Sequence, residues 1–286
     1  MTPPYDIIAI VRGIIKQFKS ELELLEYSPS TTSYYLSVAD QFLDLVGVKD
    51  SYTRQDVLNF LQAMDHLTST SKSTYKHSLA RFFEFIECPW PLKKRELRLT
   101  NTLPSPKTTF SNSEVNKIFE IAKSDSFTYA IVRTLAATGI RRSELCKLDK
   151  SHFNPPHLTD PMVKGEGLRT MTLEDKTIKA IKAYLKDRKD NDEALFLNPK
   201  TKRRITPQYI TNLIKTLTTK AKINRPKLGA HAFRRYLTTE LVKQNVNPII
   251  IQQYMGWKSP EMVNRYSHLA PTSMEKAILK AHPLFH

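Results

Sequence analysis

Residues 137–145 read Ala-Thr-Gly-Ile-Arg-Arg-Ser-Glu-Leu, and this stretch shows how a long helical run is broken. Apolar residues from about 127 to 138 keep helical spacing, and Gly139 supplies the left-handed conformation that ends such a helix. Arg141 then opens the next helix, where the first backbone amides favour an anion. Glu144, three residues on, shares its face and is placed to orient the guanidinium. Taken alone, the stretch reads more readily as a capped surface helix with an exposed ion pair.

Outward from this turn the same grammar continues. Ser111-x-x-Glu114 is a capping box ahead of Val115, Ile118, Phe119 and Ala122. The stretch from Met162 to Leu173 carries Gly165-Glu-Gly167 between short extended segments, which predicts a β-hairpin. Helices are predicted over 174–188 and over 207–222, the latter with Thr206 as cap and Pro207 as first residue. Others follow over 231–244 and over 248–255, where Gly256 stops the chain. A short helix from Ser259-Pro260 reaches Tyr266, and a last one lies near 273–281, with Met274, Ala277, Ile278 and Ala281 as its apolar stripe.

The first hundred residues are helical too. Ile7, Ile8, Ile10, Val11, Ile14 and Phe18 keep one face. Ser28-Pro opens a second helix carrying Tyr34, Tyr35, Val38, Phe42 and Leu45. Thr53 and Asp56 cap a third, with Val57, Phe60 and Leu61 behind them. Ser71 opens a fourth, with Tyr75, Leu79, Phe82, Phe83 and Ile86, and Cys88-Pro-Trp-Pro breaks it. Pro104 and Pro106 mark a linker. The organisation expected is therefore a helical domain over 1–99, a linker over 100–109 and an α+β domain over 110–286. The fold class is mainly α with a small antiparallel β-sheet.

The composition narrows the chemistry. At 286 residues, with 40% hydrophobic and 25% charged side chains, the chain can bury two cores. No apolar run approaches the roughly 18–20 residues of a membrane span. Met1-Thr-Pro-Pro-Tyr-Asp lacks the basic-then-apolar pattern of a secretion signal, so a cytoplasmic protein is expected. Cys88 and Cys146 make neither a disulfide framework nor a metal cluster. Neither GxxxxGK[ST] nor GxGxxG occurs, which argues against nucleotide-driven motors and dinucleotide enzymes. Lys and Arg exceed Asp and Glu by 44 to 28, and residues 1–99 hold 12 of each sign. The whole excess of +16 thus lies in residues 100–286 and suits a polyanion; a solvated basic surface or acidic lipid is the alternative.

Four segments of that basic half have the makings of one phosphate-chemistry site. Besides Arg141, they are Lys164 beside the glycine-rich turn, His231 and Arg234 on one face of a helix, and Trp257 followed nine positions later by Tyr266. Each is bland alone. Together and in order they resemble the tyrosine recombinase, or phage integrase, family. Thr138-Gly-Ile-Arg141-Arg-Ser-Glu144-Leu145 is similar to its first box. Val163-Lys164-Gly-Glu-Gly-Leu-Arg169 is similar to its hairpin box. His231-Ala-Phe-Arg234-Arg235, Met255-Gly-Trp257 and Tyr266-Ser-His268 correspond to the remaining three. Trp257 stands where many members carry histidine; some members have tryptophan there. Its indole donates one hydrogen bond and is neither acid nor base. Arg235 replaces a common second histidine, and Gly167 and Leu168 replace polar or basic residues.

The resemblance implies a site-specific DNA recombinase that works through a 3′-phosphotyrosyl intermediate, without metal, cofactor or ATP. Tyr266 would be the nucleophile, Arg141 and Arg234 the phosphate clamp and Lys164 the acid for the leaving oxygen. His231 and Trp257 would assist, with Glu144 supporting Arg141. DNA contacts are expected from Arg142, Arg169, Lys202, Arg203, Arg204 and Arg235, from the basic loop ending at Arg225, and from Lys72, Lys76 and Arg81 in the first domain. The partners implied are double-stranded DNA, three further copies in a homo-tetramer on two sites, and accessory DNA-binding proteins, with a monomer in free solution. The last helix would be exchanged between copies. A silent DNA-binding protein and a type IB topoisomerase are the competing readings.

Overall fold

Four helices build the first of two units, residues 1–102: α1 (Pro4–Leu24), α2 (Pro29–Val46), α3 (Arg54–Ala63) and α4 (Ser69–Phe85). The computed structural model describes residues 4–64, 67, 69–92, 109–160, 169–225 and 228–266. Ser28 Oγ accepts the Thr31 amide, and Thr53 with Asp56 forms a complete capping box, so both predicted starts are real. The core is aromatic: Phe42 lies 5.4 Å from Phe60 and 5.6 Å from Phe83, both edge-on.

The buried face of α1 is set further along than its sequence suggests. Val11 and Ile14 are partly covered, Phe18 and Leu22 are fully buried, and Ile8 and Ile10 are exposed. Arg81, expected at DNA, instead joins α1 to α4: its guanidinium binds Glu21 and, at 2.7 Å, Glu84. Its side chain is only 15% exposed. Lys72 and Lys76 are half-buried on α4.

The second unit, residues 103–286, is assembled round α6 (Ser126–Thr138), which is buried on nearly every side by Phe127, Ala130, Ile131, Val132, Leu135 and Ala136. Against it pack α5 (Asn112–Ala122), α8 (Asp175–Asp187) and α10 (Ala230–Lys243). The predicted boxes at Ser111–Glu114 and Thr206–Pro207 cap α5 and α9 (Pro207–Lys220). The single turn α7 (Arg142–Leu145) follows α6, and α11 (Pro248–Met255) and α12 (Glu261–Asn264) follow α10.

One antiparallel sheet, in the order β1–β2–β3, completes this unit. Its strands are β1 (Phe153–Asn154), β2 (His157–Asp160) and β3 (Arg169–Thr172). Of the hairpin expected over 162–173, β3 is the outgoing strand; it pairs antiparallel with β2, Asp160 opposite Arg169, and residues 161–168 lie outside the described residues. Strands of two and four residues round Pro155-Pro156 are too short for periodicity to reveal. The Lys164 turn and the helix near 273–281 lie outside the described residues.

Two glycines end the helices that feed the site. Gly139 (φ 58°) closes α6 and Gly256 (φ 60°) closes α11, both left-handed. A Cβ on Gly139 would sit 2.9 Å from Met255 Cε and 3.4 Å from the Arg234 Cα. Gly139→Ala should therefore destabilise the chain by about 1–3 kcal/mol, read as a fall of several degrees in Tm. An unchanged melt would refute the claim that this cap is strained for any other residue.

Candidate active site

Arg141 is the residue at which α6 has ended and α7 has not begun. Its amide donates to Glu144 Oε2 at 2.8 Å and its Nη1 to Oε1 at 2.5 Å. The carboxylate is buried, whereas the Arg141 side chain is 43% exposed. One end of the guanidinium is thus fixed and the other is open to a ligand. Burial works to raise the Glu144 pKa, but the hydrogen bonds and charge of Arg141, with the charge of Arg169, outweigh it and lower the pKa. With four residues, α7 is too short to supply the helix-start field expected from the sequence.

Arg234 is 2% exposed. Its Nη1 donates to the Gly139 carbonyl at 2.9 Å and its Nη2 to the Met255 carbonyl, while Nε has no protein partner. Desolvation, then the charges of Arg141 and Arg169, pull its pKa down to about 9, with Glu144 and Tyr266 opposing. It remains cationic at neutral pH.

Trp257 and Tyr266 stack beside it. The Arg234 Cζ lies 5.3 Å from the Trp257 ring centroid, and the indole and phenol rings are 6.3 Å apart at 16°. Tyr266 is 5% exposed, held by α12 and packed with Val263, Met255 and Ile251. Burial raises its pKa against the pull of Arg235, Arg234 and Arg265, so it is a neutral phenol at pH 7. His231, on the same helix as Arg234, is exposed. Desolvation, followed by the charges of Arg235, Arg234 and Arg141, lowers its pKa to about 4. The structure therefore brings Arg141, Glu144, His231, Arg234, Trp257 and Tyr266 to one place.

The expected DNA contacts divide. Arg142 is exposed and donates to Thr211 Oγ1 at 2.7 Å, while Lys202 and Arg203 project from an exposed turn and Arg235 is half-buried beside His231. Arg204 is partly occupied by the fold, donating to the Leu148 carbonyl at 3.0 Å and to Asp149. Arg225 likewise donates to Glu114 and to the Thr109 carbonyl. Arg169 departs furthest from expectation: it is buried, 6% exposed, and directed into the protein. A basic residue next to a glycine-rich turn looks like a surface contact, and nothing local shows that Asp160 faces it across the sheet. Asp160 is unreadable as a site residue for the same reason, and the Tyr254 hydroxyl donates to the Ala137 carbonyl at 3.0 Å.

Residues 108–273 match the phage integrase family. The tyrosine recombinase XerA of Pyrococcus furiosus is 27% identical over 95% of this chain and 94% of its own. The XerH site-specific recombinase bound to its difH substrate before cleavage superposes with a TM-score of 0.71 at 19% identity, covering 88% of this chain and 79% of that one. The Tn1549 transposon integrase with transposon right-end DNA gives 0.73 at 18% identity, covering 96% and 99%. The last two likenesses concern the fold.

The depressed His231 pKa has a definite consequence. Between its unfolded value near 6.5 and its folded value of about 4, the unfolded chain binds more protons than the folded one. Stability should then fall as pH drops through that window. His231→Gln should flatten this part of the stability curve in urea titrations at pH 4.5 and 7. Equal acid sensitivity in both proteins would show that His231 titrates normally.

Proposed function

The chain belongs to the phage integrase family, and from that premise we propose that it is a site-specific DNA recombinase that cuts and rejoins double-stranded DNA through Tyr266. The observation that carries this reading is the convergence of a neutral buried tyrosine, a buried arginine whose Nε has no protein partner and a half-open second arginine on one site. The name and length match of the XerA relative support it.

Arg141 and Arg234 take the non-bridging oxygens of the scissile phosphate, where their charge meets that of the pentacoordinate transition state. The Tyr266 hydroxyl oxygen attacks phosphorus and forms the phosphotyrosyl bond, while the bond to the 5′-oxygen breaks. His231 is neutral in the free site and accepts the phenol proton, its basicity restored by the incoming phosphate charge. Lys164 protonates the departing 5′-oxygen. Trp257 packs against the phosphate and keeps Arg234 and Tyr266 in register. Rejoining is the same sequence reversed with a new 5′-hydroxyl, so the bond energy is retained without ATP.

The second unit carries the chemistry. The first unit, through Lys72 and Lys76, adds phosphate contacts that position the duplex without reading its sequence. Arg142, Lys202, Arg203 and Arg235 do the same on the second unit. Four copies on two sites, joined by the last helix, exchange strands in the cytoplasm, in integration and excision of a mobile element or in resolution of chromosome dimers. A silent DNA-binding protein would not need Tyr266 held beside two arginines.

Incubation with sheared source DNA in excess EDTA, followed by SDS and digestion, should leave nucleotide on Tyr266 by mass spectrometry, and sequencing the attached DNA should return the site. Tyr266→Phe should abolish the adduct while DNA binding persists; an adduct that survives would place the nucleophile elsewhere. Lys164→Ala should slow cleavage by about 10²–10⁴-fold with a 5′-hydroxyl leaving group and be rescued by a 5′-phosphorothiolate, which needs no acid. Absence of rescue removes Lys164 from the acid role.

A further inference from the structure

We infer that Arg169 is a positioning residue for strand cleavage: a buried second bridge across the two helix ends that hold Arg234, tied also to the carboxylate beneath Arg141. The inference rests on the recombinase reading. Arg169 Nε donates to the Tyr254 carbonyl at 2.6 Å, and Nη2 donates to the Thr138 carbonyl at 2.8 Å. Arg234 takes the next carbonyl along each segment, Met255 and Gly139. Two guanidiniums thus staple the ends of α6 and α11, one residue apart.

The third Arg169 nitrogen faces acids. Nη1 lies 3.6 Å from Glu144 Oε2 and 3.7 Å from Asp160 Oδ2, too far to hydrogen bond, and has no other partner. Both carboxylates are buried. Glu144 is the group that holds Arg141, and the charge of Arg169 adds to the hydrogen bonds and charge of Arg141 that act on that carboxylate. Asp160 is the strand partner of Arg169, and Lys164 lies between them in sequence. Gly256 lets the side chain pass, since a Cβ there would be 3.0 Å from Arg169 Cδ.

Only a planar guanidinium spans two carbonyls while presenting a third nitrogen to an acid; a lysine ammonium at the same place is a point charge. An apolar residue would fill the volume and remove one cation that faces Glu144 and Asp160, Glu144 keeping its bonds to Arg141. In either case Arg141 and Arg234 lose their common frame. A displacement of about 1 Å at reacting groups costs about 10²-fold in rate.

The test uses the full chain and a duplex carrying the sequence recovered on Tyr266, with either the natural scissile phosphate or a methylphosphonate in its place. Arg169→Met and Arg169→Lys are compared with wild type for DNA Kd, Tm and single-turnover cleavage. With phosphate, both should cleave about 10²-fold more slowly while Kd moves less than about threefold. With methylphosphonate, which lacks one of the charged oxygens the arginines serve, the deficit should shrink to under about tenfold. An equal deficit on both substrates, an unchanged rate, or failure of both variants to fold would each assign Arg169 to the fold alone and overturn the inference. Absence of an adduct from wild type on the phosphate duplex would instead overturn the recombinase reading beneath it.

Discussion

A guanidinium buried against main-chain carbonyls is the constraint on which this site depends. Arg234 is covered almost completely, and the partners it has are the carbonyls of Gly139 and Met255. Those carbonyls are free because α6 and α11 end there, each at a left-handed glycine that turns the chain away. The ends of helices carry partial negative charge, so two of them aimed at one cation offset part of its desolvation. The geometry demands that α6, α10 and α11 meet at fixed distances. The packing of α6 inside its cluster of apolar side chains serves that demand as much as it serves stability.

Charge accounting explains why the arrangement calls for an anion. Arg141, Arg169 and Arg234 are cations, and Glu144 and Asp160 are the carboxylates set against them. The balance is positive before Arg235 and Arg265 are included. Desolvation, and after it the charges of the neighbouring arginines, lowers the pKa of Arg234 and of His231. A phosphate diester brings one negative charge to the place where the deficit lies, and the transition state brings a second. The same positive charge therefore favours the transition state over the ground state.

Much of this was legible in the sequence, and the exceptions share one cause. Caps at Ser28, Thr53, Ser111 and Thr206 are local patterns, and each begins a helix as read. Gly139 and Gly256 are local as well. Arg141, His231, Arg234, Trp257 and Tyr266 come from four separate stretches whose order, rather than any one of them, made them readable. What could not be read was the destination of a long basic side chain. Arg81, Arg204 and Arg225 each looked like a contact for DNA, yet each lies beside a carboxylate 55 or more positions away. Arg169 lies across two strands too short to show a period. Pairings of that kind are properties of the assembled fold.

The aromatic stack adds one more step. Where histidine would offer a titratable donor, Trp257 offers a flat face between Arg234 and Tyr266. A ring that neither gains nor loses a proton keeps the phenol in a largely apolar setting, alongside Ile251, Met255 and Val263, and burial raises its pKa. A protonated phenol is a poor nucleophile, so the resting site is protected from attacking indiscriminately. In the proposed reaction the phenol becomes competent only when a phosphate has brought its charge to the arginines and made His231 basic enough to take the proton. On that reading, substrate binding and activation of the nucleophile are one electrostatic event, which suits a reaction that must open a duplex and close it again.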